Sequence, residues 1–186
     1  MGKFKRNDTS IDGVYVIEPT VFGDNRGYFM ETYSKADFDE IGISCEFVQD
    51  NQSKSSYGVV RGLHCQTGKH AQAKLVRCLY GTVLDVAVDI RPNSKTFGEY
   101  VSVELSDENK RQLFIPRGFL HGFSVLSETA VFAYKCDNLY CKESEFSVRF
   151  DDPQINVDWK IPADKILVSE KDKIAKLLSD IPKHVR

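Results

Sequence analysis

The sequence predicts a mainly β protein, a barrel or sandwich of short strands with short helices near its two ends. Many short runs rich in β-branched and aromatic residues are separated by turn residues, as in all-β domains. Helical periodicity is confined to one segment near each end of the chain. The length of 186 residues suits a single domain, spanning residues 1–186, with one buried core.

The strands are predicted from alternating polar and apolar residues bounded by Gly, Pro, Asn or Asp. They cover residues 12–19, 28–33, 46–53, 59–66, 74–80, 82–90, 99–105, 111–115, 122–126, 130–138 and 146–150. So many short strands leave little of the chain for helices, which favours a barrel or sandwich over an α/β fold.

The centre of the chain carries the strongest strand signal. Two aliphatic-rich segments, residues 74–80 and 82–90, meet at Gly81 and are expected to pair as a hairpin. Side chains alternate along a strand, so the aliphatic residues at 84, 86, 88 and 90 share one face of the second segment. Asp85 and Asp89 point to the other face.

The two predicted helices begin after serine residues. Ser34 is a candidate N-cap for a helix that reaches residue 41, with apolar residues at roughly helical spacing. Ser169 precedes a charged turn and then apolar residues up to Leu178, which predicts a short C-terminal helix. Ser169 and Asp172 resemble a capping box, so capping is the structural interpretation of this segment.

Composition narrows the function classes. The net charge is −2 with acids and bases mixed along the chain, so neither a nucleic-acid partner nor a polybasic membrane patch is expected. No apolar run approaches the roughly 20 residues of a membrane helix, and no signal peptide is recognisable. Five cysteines without a C-x-x-C pair fit reduced thiols, so we expect a cytoplasmic protein.

His64 and Lys74 are the central residues best suited to chemistry. A histidine titrates near neutral pH and can remove a proton next to a carbonyl group. A lysine can stabilise the enolate oxygen that then develops, and a tyrosine such as Tyr134 can return a proton. The alternatives are structural: His64 as a hydrogen-bonded strand histidine, and Tyr134 as a core aromatic.

Two further polar residues lie in glycine-containing segments. His121 follows a loop with Pro116 and Gly118, and such loops often carry function. Arg61 suits an anion such as a phosphate, but strict alternation places it on the face opposite His64. Arg61 and His64 share one site only if Gly62 marks a bulge.

A metal centre is the obvious alternative for a histidine-bearing β-barrel. Such a site would take a second histidine two residues after His64, but Gln66 stands there, and no acidic residue follows up to Lys74. We therefore expect no metal. We also expect no bound nucleotide cofactor, because the chain has neither a G-x-G-x-x-G sequence nor a P-loop.

Motifs along nearly the whole chain resemble the dTDP-4-dehydrorhamnose 3,5-epimerase family. They are F-G-D-N-R-G-Y-F-M-E (22–31), F-V-Q-D-N-Q-S (47–53), G-V-V-R-G-L-H-C-Q (58–66), A-K-L-V-R (73–77), D-V-A-V-D (85–89), I-P-R-G-F-L-H-G-F (115–123), Y-K (134–135) and S-E-K-D (169–172). Cys65 and Leu139 stand where that family usually has aromatic residues.

The resemblance implies a homodimer of cupin-like jelly-roll barrels that acts on dTDP-4-dehydro-6-deoxy-D-glucose without a cofactor. It implies His64 as the general base, Asp172 as the acid that orients it, Tyr134 as the proton donor and Lys74 as the partner of the enolate oxygen. Substrate-contacting positions would be Arg26, Glu31, Gln49, Asn51, Arg61, His121, Glu145 and Lys171, with Tyr140 stacking on the thymine. Arg26 otherwise reads as a solvated residue of a polar turn.

Other functions stay open at this point. A relative could invert only C3 or C5, or could move the ketone of a related nucleotide-linked sugar. A non-catalytic sugar-nucleotide-binding module could use the same fold. A metal-dependent oxygenase on a related barrel is the third alternative.

Overall fold

A computed structural model describes residues 3–181; His184 lies outside them. Within these residues the chain forms thirteen β-strands and two short α-helices. They are β1 (Phe4–Asp8), β2 (Tyr15–Pro19), β3 (Phe22–Asp24), β4 (Gly27–Phe29), α1 (Lys35–Glu40), β5 (Gln49–Ser56), β6 (Val60–Gln66), β7 (Lys74–Tyr80), β8 (Thr82–Asp89), β9 (Tyr100–Ser106), β10 (Gln112–Ile115), β11 (Phe119–Val125), β12 (Thr129–Cys136), β13 (Glu145–Ser147) and α2 (Glu170–Lys173). None of the helices among residues 3–181 is long and apolar enough to cross a membrane.

The strands form two antiparallel sheets that pack as a sandwich. The first sheet has the order β1-β2-β10-β7-β12-β5, and the second has the order β13-β6-β11-β8-β9. Strands β3 and β4 pair only with each other among the described residues. The main core lies between the two sheets, where Val76 and Phe132 of the first meet Ala87, Leu105 and Phe123 of the second. The prediction of a mainly β, cupin-like sandwich is confirmed.

Strand β8 is buried on both faces, as the alternation of its residues predicts. Leu84, Val86 and Val88 face away from the first sheet and pack against Trp159 and Leu178 of the C-terminal segment. The opposite face of β8 contributes to the core between the sheets. Burying an aliphatic side chain of this size stabilises the fold by roughly 1.5–3 kcal/mol, so the C-terminal segment is an integral layer of the sandwich.

Helix α1 covers the outer face of the first sheet. The Ser34 side chain accepts a hydrogen bond from the Asp37 backbone N–H, which caps the first turn as predicted. Phe38 is fully buried and packs with Phe4, Ile17 and Phe114. A helix of six residues is too short to persist alone, so this packing holds it in place.

The predicted hairpin of residues 74–80 and 82–90 is wrong. Both segments are strands, but β7 pairs with β10 and β12, whereas β8 pairs with β9 and β11. The chain therefore crosses from one sheet to the other at Gly81, where a Cβ would lie 2.2 Å from the backbone oxygen of Thr129. The cause is burial on both sides: aliphatic residues of β7 and β8 face each other across the core instead of lying side by side.

Two smaller differences between the predicted and the observed secondary structure also have physical causes. Strand β1 was not predicted, because its only fully buried residue is Phe4 and the rest is polar. The predicted C-terminal helix is wrong beyond Lys173: α2 spans four residues, and Leu178 instead packs on the second sheet. The Leu178 N–H donates to the buried Asp152 carboxylate, which fixes this path.

Candidate active site

A bulge in β6 brings Arg61 and His64 to one cavity. His121 of β11 lies opposite His64, and Phe123 lies opposite Arg61, so β6 has one residue more than β11 between these pairs. Gly62 makes this possible with a φ of +130°, and a Cβ there would lie 2.6 Å from the Cα of Gly122. The side chains of Arg61 and His64 line a cavity of about 490 Å³ between the two sheets.

His64 forms a close pair with Asp172. The His64 Nε2 and Asp172 Oδ1 atoms are 2.6 Å apart, and the Asp172 side chain is only 5% exposed. Ser169 caps α2 by accepting a hydrogen bond from the Asp172 N–H, so Asp172 is both part of a capped turn and the partner of His64. Burial tends to raise the pKa of Asp172, but its bond to His64 and the histidine's charge outweigh burial and lower that pKa.

The half-buried Lys74 and the buried His121 and Asp85 form a row next to this pair. Lys74 Nζ lies 3.4 Å from His121 Nδ1, and His121 Nε2 lies 3.0 Å from Asp85 Oδ2. Burial lowers the pKa values of Lys74 and His121 and raises that of Asp85. The sequence alone did not single out Asp85; its only signal was an acid on the inner face of a strongly apolar strand.

Tyr134 enters the same cavity from the opposite sheet. It lies on β12, its ring centroid is 5.7 Å from Lys74 Nζ and 6.4 Å from the His121 ring, and burial raises its pKa. His64 belongs to β6 of the second sheet. A ligand between the sheets would therefore have an imidazole on one side and a phenol on the other.

A second cavity of about 180 Å³ extends this site, and its lining includes His64, Lys74 and Tyr134. Polar groups at its rim bond to one another: the Tyr140 hydroxyl donates to Glu145 at 2.9 Å, and the Lys171 ammonium also donates to Glu145. Burial tends to raise the pKa of Glu145, but these two bonds lower it overall. On the facing strand β5, the side-chain amide of Gln49 donates to that of Asn51 at 3.0 Å.

Arg26 and Glu31 lie outside both cavities of their own chain. Arg26 bonds to Asp24 at the turn between β3 and β4, and Glu31 pairs with Lys3 at 2.7 Å. The hairpin of β3 and β4 projects from the sandwich, and its Phe29 is 65% exposed. The other predicted site residues line the two cavities or bond to residues that do.

Residues 3–181 contain no group of three or more His, Cys, Asp or Glu side chains that could hold a metal ion. The five cysteines are all free thiols, and Cys65 and Cys136 are buried beside Lys74. Burial raises the pKa of Cys65 to about 12, so this thiol stays protonated at neutral pH.

The fold and the cavity define an acid–base enzyme on a cupin-like sandwich, with an imidazole on one sheet, paired with a carboxylate, and a phenol and a lysine on the other. The chain belongs to the dTDP-4-dehydrorhamnose 3,5-epimerase family, whose model matches residues 8–180. The family is a family of isomerases, and this chain is one of them.

Relatives with this name cover nearly the whole chain. The dTDP-4-dehydrorhamnose 3,5-epimerase of Methanothermobacter thermautotrophicus is 50% identical over 98% of both chains. The crystal structure of the enzyme of that name from Elizabethkingia anophelis is 60% identical, with a TM-score of 0.92 over 96% of this chain and 98% of that one. The Legionella pneumophila dTDP-6-deoxy-D-glucose-3,5-epimerase, solved with dTDP-4-keto-L-rhamnose, is 50% identical, with a TM-score of 0.94 over 98% of this chain and 96% of that one.

Proposed function

We propose that this protein converts dTDP-4-dehydro-6-deoxy-D-glucose to dTDP-4-dehydro-L-rhamnose by inverting C3 and C5 of the sugar. The observation that carries the proposal is the placement of His64 and Tyr134 on opposite sheets around one cavity that Lys74 also lines. Inversion needs a base and an acid on opposite faces of a planar intermediate. The relative solved with dTDP-4-keto-L-rhamnose supports the choice of nucleotide sugar.

His64 removes the proton in the first step. The 4-keto group acidifies the hydrogens at C3 and C5, because the resulting carbanion is an enolate. Since the Nε2–H of His64 donates to Asp172, Nδ1 carries the lone pair that accepts the carbon's proton. Asp172 stays ionised, because its pKa is lowered, and it stabilises the imidazolium that forms.

Lys74 stabilises the enolate, and Tyr134 completes the inversion. The half-buried ammonium of Lys74 lines the cavity, and a fixed charge at such a position stabilises a developing oxyanion. The Tyr134 hydroxyl then gives its proton to the opposite face of the carbon. Exchange of protons with solvent returns His64 to the neutral form and Tyr134 to the phenol before the second centre reacts.

Polar residues around the two cavities suit the nucleotide. Arg61 Nε lies 3.1 Å from Ser55 Oγ at the rim of the main cavity, and its planar guanidinium suits a diphosphate oxygen. Tyr140 is 54% exposed next to Glu145 and Lys171, where its ring is open to stacking on thymine. The remaining polar contacts in this proposal come from Gln49, Asn51, His121, Glu145 and Lys171.

The enzyme acts in this proposal as a homodimer of single-domain protomers. The exposed hairpin of β3 and β4 carries Phe22, Tyr28 and Phe29, and such an apolar patch marks a protein interface. Arg26 and Glu31, which their own chain leaves outside the cavity, would then contact the substrate bound to the partner. Free cysteines fit a cytoplasmic enzyme. In this proposal, its product is a precursor of surface polysaccharides such as lipopolysaccharide.

Incubation with dTDP-4-dehydro-6-deoxy-D-glucose in D2O tests this function. We expect deuterium at both C3 and C5, read by NMR or mass spectrometry, and an L-configured product. Exchange at one carbon alone would favour a single-centre epimerase, and a moved ketone would favour a ketoisomerase. Tight binding without any exchange would indicate a binding module and would contradict the proposal.

A further inference from the structure

Asp85 is a buried acid to which the proposed mechanism assigns no role. It lies at the middle of β8, it is 0% exposed, and its Oδ1 atom has no hydrogen-bond partner among residues 3–181. Its other oxygen, Oδ2, bonds to His121 Nε2 at 3.0 Å. A buried carboxylate oxygen without a partner costs roughly 1–3 kcal/mol, so Asp85 does not optimise the stability of the fold.

Asp89 lies on the same face of β8 as Asp85 and is an example of a buried acid with a structural role. Its Oδ1 accepts hydrogen bonds from Arg91, and its Oδ2 accepts from Arg91, Ser94 and Thr96, so both oxygens are used. Within the described part of the chain, neither an arginine nor a hydroxyl group bonds to Asp85, and its one bond leads to His121. The difference indicates that Asp85 is placed for its effect on His121.

The bond to Asp85 fixes which nitrogen of His121 carries a proton. Asp85 accepts from Nε2–H, so Nδ1 of the neutral ring has a lone pair. That lone pair faces the Lys74 ammonium at 3.4 Å and can accept one of its hydrogens. In the other tautomer, or in the imidazolium, an N–H would face the ammonium, and the ring would push Lys74 away instead of holding it.

We propose that Asp85 is a positioning residue, which acts through the neutral Nε2–H form of His121 to hold the charged Lys74 Nζ against the substrate's enolate oxygen. The inference rests on the proposed epimerase function for the identity of that oxygen. The arrangement of Asp85, His121 and Lys74 within the protein does not depend on that function.

Asp85 also contributes negative charge that favours the protonated form of Lys74. Burial lowers the pKa of Lys74, and the acidic groups that face it and oppose this effect are Cys136, Cys65, Asp85 and Glu145. The two thiols have raised pKa values and stay neutral near neutral pH, which leaves Asp85 and Glu145 as the carboxylates. His121 faces Asp85, Lys74 and His64, and its own pKa is lowered by burial, so it stays neutral.

The variant Asp85→Asn tests the proposal, because the amide oxygen that it introduces still accepts from His121 while the charge is gone. We expect kcat to fall by about 10- to 100-fold, the loss expected when a hydrogen-bonded charge is removed from a positioned group, while KM changes less than about threefold. The basic limb of the kcat–pH profile moves to lower pH, because Lys74 loses its proton more easily. Asp89→Asn, four residues along the strand, is the matched control, and it leaves that limb in place.

A second measurement needs no substrate and no variant. In 15N-histidine-labelled wild-type protein, the His121 resonances should show a protonated Nε2 and an unprotonated Nδ1 across neutral pH. A protonated Nδ1, or Asp85→Asn with wild-type kcat and an unmoved basic limb, overturns the inference. Absence of any deuterium exchange in wild-type enzyme refutes the proposed function instead, and the histidine spectrum still decides the tautomer.

Discussion

Replacement of Asp172 by asparagine tests the pairing on which proton removal depends. When His64 takes the substrate's proton it becomes an imidazolium, and the neighbouring carboxylate then interacts with a full positive charge. For charge centres about 4 Å apart at an effective dielectric constant near 20, this attraction is about 4 kcal/mol. Each 1.36 kcal/mol corresponds to a factor of ten in rate. The introduced amide oxygen keeps part of the hydrogen bond, so we expect kcat to fall by about 10²- to 10³-fold.

Steady-state kinetics with the 4-keto sugar nucleotide measure this effect. KM should change little, because Asp172 contacts His64 and the base acts on the reacting carbon. Glu170→Gln is the matched control: Glu170 lies in the same turn of α2, is exposed, and bonds to Lys173 instead of His64. A kcat for Asp172→Asn within threefold of the control would refute the reasoning, since the carboxylate would then contribute nothing to the transition state.

Three further changes have defined outcomes. Tyr134→Phe should slow inversion by about 10²- to 10⁴-fold, and substrate recovered from D2O should contain deuterium with its configuration retained; inversion at the wild-type rate would contradict this. Gly62→Ala should lose more stability in chemical denaturation than Gly27→Ala, because the two have φ angles of +130° and +133° but only Gly62 has backbone within 4 Å of a Cβ; equal losses would contradict the clash. At Asp89, hydrogen bonds outweigh burial and lower the pKa from 3.8 to about 2, so its stabilisation is complete above pH 4 and is lost as the pH falls towards 2. Denaturation midpoints of Asp89→Asn should therefore fall less than those of wild type in this range, and parallel curves would contradict the assignment.

The sequence predicts the fold class and most strands because alternation records burial. The face assignment along β8 holds, since Leu84 and Val86 pack outward and Asp85 points between the sheets. Pairing between strands could not be predicted in the same way. Adjacent segments with a glycine between them indicate a hairpin, but residues 74–80 and 82–90 lie in different sheets. Alternation reports that a strand is covered on both faces, and it does not report which strand lies beside it.

Prediction of the site from the sequence has a similar limit. A resemblance over nearly the whole chain predicted most of the residues that gather around the cavity, although Arg26 and Glu31 lie outside it. Alternation alone placed Arg61 and His64 on opposite faces. The extra residue of β6 between Arg61 and His64 reverses that assignment, and only the pairing of the strands reveals it. Asp85 escaped prediction for another reason: on a strand face that also holds the fully bonded Asp89, an acid with one unpaired oxygen looks the same in sequence.

The side chains of the site are held in place by the hydrophobic core, because they lie on the same strand faces as core residues. Along β11 the inward-facing residue next to His121 is Phe123, and along β12 the one next to Tyr134 is Phe132. The rings of Phe123 and Phe132 stack with centroids 4.3 Å apart, so the two opposing strands are joined directly behind the site. Residues two apart on a strand share a face, and a packed core resists displacement. Apolar packing therefore sets the distance between the sheet that carries His64 and the sheet that carries Tyr134. The polar residues of the site do not have to hold the two sheets together and can serve proton transfer.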